Sequence, residues 1–384
     1  MKPSRSISAL ATSLIPGLLL SVSVASAEEV IETGVASEYE SFDLIQVVDD
    51  ISHGWAVAFL SDGSKLVTER GGALLRIREQ ERQTLAGLPE IQVHNQGGLL
   101  DVVPHPDHAD NGWIYFTYSS GDADATVPAL ARARIDGDSL VDLEVLFESN
   151  TATSPGRHYG SRILFLEDGT LLMTIGDRGA EPPRAQDPMD HSGSVVRLHK
   201  DGSIPSDNPF VDTDGYAPEI YSYGHRNIQG IVQHPETGEI WVTEHGPRGG
   251  DELNRIEPGE NYGWPTATLG RDYRTEDTFP DAEARRREGM IDPAFEFLPT
   301  LAPSGLAVVR DSGFGHWEGN LLAGGLRAER ILRLTIEDGE VVHAEELLRD
   351  MVGRIRDVRQ GPDGHIYVLN DAADGALYRL EPVQ

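Results

Sequence analysis

The 384-residue chain contains no cysteine. Disulfide bonds therefore do not stabilise its fold, and no thiol serves as a nucleophile or a metal ligand. The chain also lacks HExxH, a Walker loop, GxSxG and GxGxxG. The usual signals of zinc proteases, nucleotide-binding proteins, serine hydrolases and dinucleotide-binding folds are thus missing. Composition alone leaves Ser-His-Asp catalysis open, although no nucleophile elbow indicates it.

Basic residues are scarce relative to acidic ones. The chain has 32 Lys and Arg against 63 Asp and Glu, and its formal net charge is −31. Such a chain is repelled by nucleic acid and by anionic lipid, so neither is an expected partner. The excess carboxylates favour divalent cations as ligands, or they simply keep the surface solvated.

Long apolar runs are scarce as well, and the main one lies near the basic N-terminus at residues 9–24. The small-x-small sequence ASA follows at residues 25–27, which predicts a secretory signal peptide over residues 1–27. The alternative is a membrane anchor, but serines and a proline interrupt this run, and a span needs about 20 mostly apolar residues. We therefore expect a single mature domain over residues 28–384 that is periplasmic or secreted and not embedded in a membrane.

A turn phrase followed by a strand-like segment recurs six times along the chain. Clear copies are LSDGSKLVTE, LEDGTLLMTIGD and GPDGHIYVLND, and the weakest is FGHWEGNLLAGGL. The Asp-Gly pairs favour tight turns, and the segments that follow are rich in β-branched and aromatic residues, as strands are. The six copies are anchored at Asp62, Asp107, Asp168, Glu236, Gly315 and Asp363.

Six such units predict an all-β fold, a six-bladed β-propeller of four-stranded antiparallel blades. The alternative is a β-sandwich, which does not usually repeat one turn phrase six times. Helical patterns are rare, and the segment 281–288 is the one short helix that we expect. The unequal spacing implies insertions at 151–218 and 257–299, which should gather at one end of the channel and build a site.

Two polar clusters precede apolar strands. RHYGSR begins at Arg157, and its His158 has the character of a general base at neutral pH, although a lone histidine is more often a hydrogen-bonded surface residue. SYGHRNIQG holds Arg226 and Asn227, which together bind planar carboxylates and carbonyls or else form a polar turn.

A third cluster, TEHGPRGGDELN, combines oxygen ligands. Its Gly-Pro and Gly-Gly steps expose backbone carbonyls, and Asp251 and Glu252 add carboxylates, with Tyr262 ten residues further on. This set suits Ca²⁺, which takes several oxygens in flexible geometry, although the spacing is not that of an EF-hand.

Cationic and amide side chains complete the candidates. Arg354 and Arg356 alternate along a predicted strand and therefore share one face. They need an anionic partner, either a carboxylate of the chain or a polyanionic ligand, and Arg327 is a candidate third cation. Gln96, before two glycines, places an amide at the channel mouth or forms a plain turn.

The order QGGLLDV, HYGSR, SYGHRNIQG, TEHGPRGGDELN, NYGWP and RIRDV resembles the soluble sugar dehydrogenases that depend on pyrroloquinoline quinone (PQQ). The resemblance is closer to the aldose sugar dehydrogenase branch, and it extends over about residues 55–382. It implies a six-bladed propeller with PQQ over the channel mouth and Ca²⁺ bound to the quinone. The implied reaction oxidises an aldose at its anomeric carbon to the lactone and passes electrons to an external acceptor (a quinone, a cytochrome or a dye).

The resemblance also assigns roles to residues of this chain. His158 matches the general base, and Arg226 and Asn227 match the pair that contacts the quinone oxygens. The other implied cofactor contacts are Gln96, Tyr273, Arg327, Arg354 and Arg356.

Calcium ligands follow from the same resemblance. The carbonyls of Gly246 and Pro247 match ligands of the catalytic Ca²⁺, and Glu252 and Tyr262 match a second, structural Ca²⁺ site.

The chain departs from the classical soluble glucose dehydrogenases in two respects. Arg157 stands where those enzymes carry an acidic residue that contacts the sugar, so we expect broad specificity for aldoses. Their long dimerising insertions are missing, so we expect a monomer. Two other functions remain open: a Ca²⁺-dependent propeller hydrolase of the lactonase type, which does not explain the arginines, and a non-catalytic binding propeller, which the loss of His158 or Arg226 would have favoured.

Overall fold

The computed structural model describes residues 23–24, 28–79, 81–122 and 124–383. The predicted signal peptide, residues 1–27, lies outside the described residues apart from β1 (Ser23–Val24). The next two strands are β2 (Glu29–Ala36) and β3 (Ser41–Ile51).

The rest of the chain forms consecutive antiparallel sheets, here called blades 1 to 6. Blade 1 contains β4 (Gly54–Phe59), β5 (Lys65–Glu69), β6 (Ala73–Arg78) and β7 (Glu81–Thr84). Blade 2 contains β8 (Leu99–Pro104), β9 (Trp113–Asp122), β10 (Ala125–Asp136) and β11 (Ser139–Glu148). Blade 3 contains β12 (Ile163–Phe165), β13 (Thr170–Ile175), β14 (Ser194–His199) and β15 (Ile220–Tyr223). Blade 4 contains β16 (Ile228–Gln233), β17 (Ile240–Glu244), β18 (Asp251–Ile256) and β19 (Phe295–Phe297).

Blade 5 contains β20 (Pro303–Val308), β21 (Leu321–Gly325), β22 (Ile331–Glu337) and β23 (Glu340–Leu347). Blade 6 takes strands from both ends of the chain: β24 (Ile355–Gln360), β25 (Ile366–Asn370) and β26 (Gly375–Pro382), followed by β3 and β2. Phe42 of β3 pairs with Pro382 of β26, and β1 adds to the edge of β7. The first strands of neighbouring blades contact one another around the ring, from β4 through β8, β12, β16 and β20 to β24 and back to β4. The predicted six-bladed β-propeller is confirmed.

The apolar core is divided among the junctions between blades. Each of its six clusters combines side chains from two neighbouring blades. In the junction of blades 5 and 6, Phe314 stacks on Trp317 with a centroid distance of 4.3 Å, and Phe42 meets Trp317 edge-on. A blade therefore buries its two faces only against its neighbours, which makes the closed ring the unit of stability.

The repeated turn phrases all connect the first strand of a blade to its second. In the copies at Asp62 and Asp168, the carboxylate accepts a backbone N–H two residues later, at 3.0 and 2.8 Å. The following Gly63 and Gly169 have φ values of 83° and 87°, which only glycine adopts at little cost. These turns lie together at one end of the channel.

Helix is confined to short segments in the described part of the chain. α1 (His108–Asn111) is one turn, and 3-10 turns occupy Pro182–Gln186 and Gly315–Trp317. The helix predicted at 281–288 is wrong: the segment forms turns and an isolated bridge between Ala284 and Ala267, and Glu283 beside it donates its N–H to the Thr266 carbonyl at 2.8 Å. Eight residues are too few to sustain a helix without packing. No helix of the described ranges has the length and apolarity to cross a membrane.

Candidate active site

A cavity of about 340 Å³ opens at the end of the channel where the first strand of each blade begins. All six blades contribute to its wall. The residues that line it are Trp55, Arg70, Gln96, Leu100, His158, Tyr159, Gly160, Arg226, Asn227, Gln229, His245, Tyr273, Ala302, Leu326, Arg354, Arg356 and Asp371. Seven of the predicted site residues are therefore brought together from segments far apart in the chain.

Two larger cavities, of about 690 and 580 Å³, lie at the opposite end of the channel. They share lining residues, among them Val103, Pro104 and Arg359, and the repeated turns form part of their rim. None of the predicted site residues lines either one, so size does not identify the site here. We take the smaller cavity as the candidate active site because it collects the titratable side chains.

His158 and Asp177 form a buried hydrogen-bonded pair in this cavity. The His158 Nδ1 lies 2.5 Å from the Asp177 Oδ1, and the Trp264 Nε1 donates to Asp177 Oδ2 at 2.8 Å. Burial lowers the pKa of His158 from its ordinary value, against the opposing effect of Asp177. The imidazole is thus neutral at neutral pH, and its Nε2 is the nitrogen that this pair leaves available to accept a proton.

The loop that carries His158 is fixed by its neighbours. His158 has a φ of 52°, and its backbone N–H donates to the Gln96 Oε1 at 2.9 Å. The buried Arg178 donates to the carbonyls of Arg157 and His158 at 2.6 and 3.0 Å, and its guanidinium lies over the Tyr159 ring. Gln96, a predicted cofactor contact, therefore also positions the backbone of the predicted base.

Arg226 and Asn227 enter the cavity from the start of blade 4. The backbone N–H of Arg226 donates to Glu244, its guanidinium reaches the hydroxyl of Tyr273 at 3.5 Å, and its buried Nε has no partner among the described residues. The Asn227 Oδ1 accepts the Gly160 N–H at 3.1 Å, and the Nδ2 of this amide has no hydrogen-bond partner among the described residues. The Arg226 guanidinium and the Asn227 amide thus line the cavity beside His158.

Blade 6 supplies the arginine pair. Arg354 and Arg356 both contact the Asp371 Oδ2, at 3.3 and 3.1 Å. They therefore share a face as predicted, and Asp371 is the carboxylate with which both form ion pairs. Their charges hold the pKa of Asp371 well below its usual range despite burial. Burial lowers the pKa of Arg356 to about 10, so it stays charged at neutral pH. Arg327 has an exposed side chain and is not among the residues that line the cavity, whereas the adjacent Leu326 is, so its cofactor contact stays a prediction.

Below the cavity, buried ion pairs fill the channel; we call them the floor cluster (Asp101, Arg162, Asp357 and Arg359). Arg162 lies 2.9 Å from Asp357, and Arg359 contacts both Asp101 and Asp357, at 2.7 and 3.0 Å. Arg162 also lies under the Trp55 ring, 4.2 Å from its centroid. The floor cluster separates the candidate site from the cavities at the other end.

The loop after β17 fits a cation. The carbonyls of Gly246 and Pro247 accept no hydrogen bond from the described residues, while the Gly246 N–H donates to Asp251 Oδ1 at 3.0 Å. A Cβ on Gly246 would lie 2.2 Å from the carbonyl oxygens of Gly249 and Gly250, so the close fold of this loop requires glycine. Free carbonyls beside a cavity are ligands of the kind that Ca²⁺ takes.

A second oxygen-rich position lies next to it. Glu244, Glu252 and Tyr262 line a cavity of about 10 Å³, which is close to the room needed by a single water or ion. Burial and the charge of Glu244 raise the pKa of Glu252 well above its usual value, and the buried Asn254 Oδ1 nearby has no partner among the described residues. The Tyr262 hydroxyl is already bonded to Arg255 and Glu257, so its carbonyl is the atom that remains for a cation.

Several members of the site were not predicted from the sequence. Asp177 ends the repeat copy LEDGTLLMTIGD, and Trp264 lies inside NYGWP, so both were within motifs but had no assigned role. His245 lies inside TEHGPRGGDELN and Asp371 ends the repeat copy GPDGHIYVLND, again without an assigned role, whereas Arg70 lies outside every motif. His245 lines the cavity, and burial lowers its pKa to about 4.

Most of the chain is similar in sequence to proteins of one known family. The sequence model described as glucose/sorbosone dehydrogenase matches residues 51–379. A relative from Escherichia coli, an aldose sugar dehydrogenase, is 38% identical over 340 residues, which cover 87% of this chain and 91% of that protein.

Two solved structures share the fold over most of this chain. The apo form of the soluble aldose sugar dehydrogenase from Escherichia coli superposes with a TM-score of 0.86 at 37% identity, over 89% of this chain and 100% of that one. The PQQ-bound form of the aldose sugar dehydrogenase from Streptomyces coelicolor gives a TM-score of 0.74 at 25% identity, over 94% of this chain and 100% of that one. The similarity therefore spans the whole ring of blades rather than a single motif.

Proposed function

Since this chain belongs to the glucose/sorbosone dehydrogenase family, we propose that it oxidises aldose sugars at the anomeric carbon with PQQ as the electron acceptor and Ca²⁺ as a second cofactor. The observation that carries the proposal is the neutral, aspartate-bound His158 in a cavity walled by arginines. A lactonase-type hydrolase would leave those arginines without a role. A binding propeller would have no need of the His158–Asp177 pair.

In this proposal His158 is the general base. Asp177 accepts a hydrogen bond from Nδ1–H, so the lone pair of Nε2 points away from the pair and takes the proton of the anomeric hydroxyl. Asp177 then stabilises the imidazolium that results. PQQ, when bound, supplies the two-electron chemistry by accepting the hydride from the anomeric carbon, which leaves the lactone.

Arg226 and Asn227 would bind the quinone oxygens. The guanidinium of Arg226 and the Nδ2 of Asn227 are donors fixed before any ligand arrives, because the backbone N–H of Arg226 is held by Glu244 and the Asn227 carbonyl oxygen by Gly160. Preorganised donors of this kind stabilise negative charge as it develops. Arg354, Arg356 and Gln96 would contact the rest of the cofactor, with Tyr273 beside it.

For calcium, the chain offers the two positions described above. The carbonyls of Gly246 and Pro247 would hold the catalytic ion, and Glu252 with the Tyr262 carbonyl would hold a structural one. A Ca²⁺ ion held by the Gly246 and Pro247 carbonyls would supply Lewis-acid chemistry beside the quinone.

Reconstitution tests the proposal. Purified apo protein is supplied with PQQ and Ca²⁺, and the reduction of a dye is followed with several aldoses. We expect dye reduction that requires the sugar, PQQ and Ca²⁺ together, and that a calcium chelator abolishes. Measurable PQQ binding without dye reduction by any aldose would refute the proposal, and lactone hydrolysis that needs Ca²⁺ but not PQQ would favour the hydrolase instead.

The pH dependence of turnover reports on His158. Because its folded pKa is lowered, the base is active above that pKa, and activity falls as pH drops through it. We expect an acid limb of kcat/KM below about pH 6.5. In Asp177→Asn, the charge that raises the His158 pKa is lost, so the limb should move to lower pH and kcat should fall about tenfold or more.

The matched control for that variant is Asp201→Asn, in the exposed turn after β14, where the carboxylate accepts hydrogen bonds from the backbone and side chain of Ser203. Its pH profile should match the wild type. An acid limb of Asp177→Asn that stays in place or moves to higher pH would contradict the pairing of this carboxylate with the catalytic imidazole.

Three further features belong to the proposal. We infer export to the periplasm or beyond through the signal peptide at residues 1–27, a monomeric enzyme, and transfer of electrons to an external quinone or cytochrome. N-terminal sequencing of the exported protein should begin at Glu28. Light scattering should give the mass of one chain.

A further inference from the structure

Arg70 is a cation of the cavity wall that none of the sequence motifs contains. It follows β5, lines the cavity and has no carboxylate partner among the residues that the structure describes. Its guanidinium donates to the Asn95 carbonyl. A Cβ on Gly98 would lie 1.7 Å from the Arg70 carbonyl oxygen, so only glycine allows the strand of blade 2 to approach here.

The position of Arg70 is beside the arginine pair. Blade 1, which carries Arg70, is the neighbour of blade 6 in the ring. The Arg70 N–H donates to the His53 carbonyl at 3.1 Å, and the His53 Nδ1 lies 2.9 Å from Asp371, the carboxylate that holds Arg354 and Arg356. Arg70 therefore extends the cationic wall from blade 6 to blade 1.

The net charge of the cavity wall indicates a role for Arg70 in binding an anionic ligand. Of the four arginines that line the cavity, Arg226 faces the position of the quinone, and Arg354 and Arg356 already share Asp371. PQQ carries three carboxylates. With Arg70, the four arginines and the one aspartate of the cavity wall carry a net charge of +3, which balances the three carboxylates of the cofactor. Without Arg70 the net charge would be +2, and Arg327 does not line the cavity to supply the missing charge.

We propose that Arg70 binds a carboxylate of PQQ and so supplies the third cation of the cofactor site. The inference rests on the proposed function, because it takes PQQ as the ligand. A guanidinium held by one N–H to the Asn95 carbonyl keeps its remaining donors for a planar carboxylate, with which arginine forms paired hydrogen bonds.

The test is an equilibrium titration of apo protein with PQQ at fixed Ca²⁺, followed by the absorbance of PQQ, at low and at high ionic strength. Arg70→Gln should weaken binding about tenfold or more at low salt. The ratio of its Kd to the wild-type Kd should shrink at high salt, because salt screens a charge contact. Arg70→Lys should recover part of the affinity, and Arg78→Gln, an exposed arginine of the same blade paired with Asp62, should bind as the wild type does.

Three results would overturn the inference. Binding by Arg70→Gln within twofold of the wild type would show that no cofactor contact is made. Equal weakening in Arg70→Gln and Arg70→Lys that salt does not change would show that Arg70 only supports the Asn95 loop. Absence of PQQ binding by the wild type would overturn the proposed function together with this inference, whereas the first two results leave the proposed function standing.

Discussion

Replacing His158 with alanine should lower kcat by about 10²–10⁴-fold while PQQ binding stays close to that of the wild type. The imidazole is the one group in the cavity that is both neutral and fixed by a carboxylate, at 2.5 Å from Asp177. Without it, the anomeric proton has no acceptor of suitable basicity. The measurement is steady-state dye reduction with saturating PQQ, Ca²⁺ and aldose.

The backbone at this residue requires a second variant. His158 has a φ of 52°, a conformation that alanine adopts less readily than asparagine does. His158→Asn should therefore lose as much turnover as His158→Ala, since neither side chain is a base. His199→Ala, at an exposed position, should turn over normally. If only the alanine variant lost activity, backbone strain rather than lost base catalysis would explain the effect.

Stability should depend most strongly on the floor cluster. Asp357→Asn removes one negative charge from between Arg162, which is buried, and Arg359, whose side chain is 24% exposed, and the Asp357 side chain is itself fully buried. Asp357 also accepts the Val57 N–H at 3.1 Å. In the variant, Arg162 and Arg359 share Asp101 as their one carboxylate in the floor cluster. Removing one partner of a buried ion pair costs about 3–5 kcal/mol, so the free energy of unfolding should fall by that amount. Denaturant unfolding followed by fluorescence gives the difference.

Asp62→Asn is the matched control for this substitution. Asp62 also lies between two arginines, Arg76 and Arg78, at 2.5 and 2.7 Å, but its side chain is 39% exposed. Exposed ion pairs contribute about 1 kcal/mol or less, so this variant should unfold nearly as the wild type does. Equal losses in the two variants would mean that burial does not set the strength of these contacts.

Much of the ring could be predicted from the sequence because its signals are local. An Asp-Gly turn and the strand after it lie within a dozen residues, so the six turn phrases located the hairpin between the first two strands of each blade. The motifs around His158 and Arg226 are likewise short. The helix prediction for segment 281–288 failed because a helical pattern of eight residues does not outweigh backbone hydrogen bonds to a neighbouring segment, here the bond from the Glu283 N–H to the Thr266 carbonyl.

The partners within the site could not be predicted, because they come from distant blades. Asp177 meets Trp264 across 87 residues of sequence, and Arg359 meets Asp101 across 258. Nothing near Arg70 in the sequence indicates that it lines the same cavity as Arg356. Arg327 was predicted to contact the cofactor because of its place in the sequence. Its side chain is exposed and does not line the cavity, whereas the adjacent Leu326 does.

The closure of blade 6 by β3 has a consequence for how the molecule is made. Phe42 pairs with Pro382, which lies near the other end of the chain. A nascent chain that has completed five blades therefore still has two unpaired sheet edges and an uncovered apolar face. Such edges readily pair with other chains. Truncations within β24–β26 should therefore yield aggregating protein rather than a smaller propeller, and the joining of the two chain ends is the step at which the cavity first acquires Arg354, Arg356 and Asp371 on its sixth side.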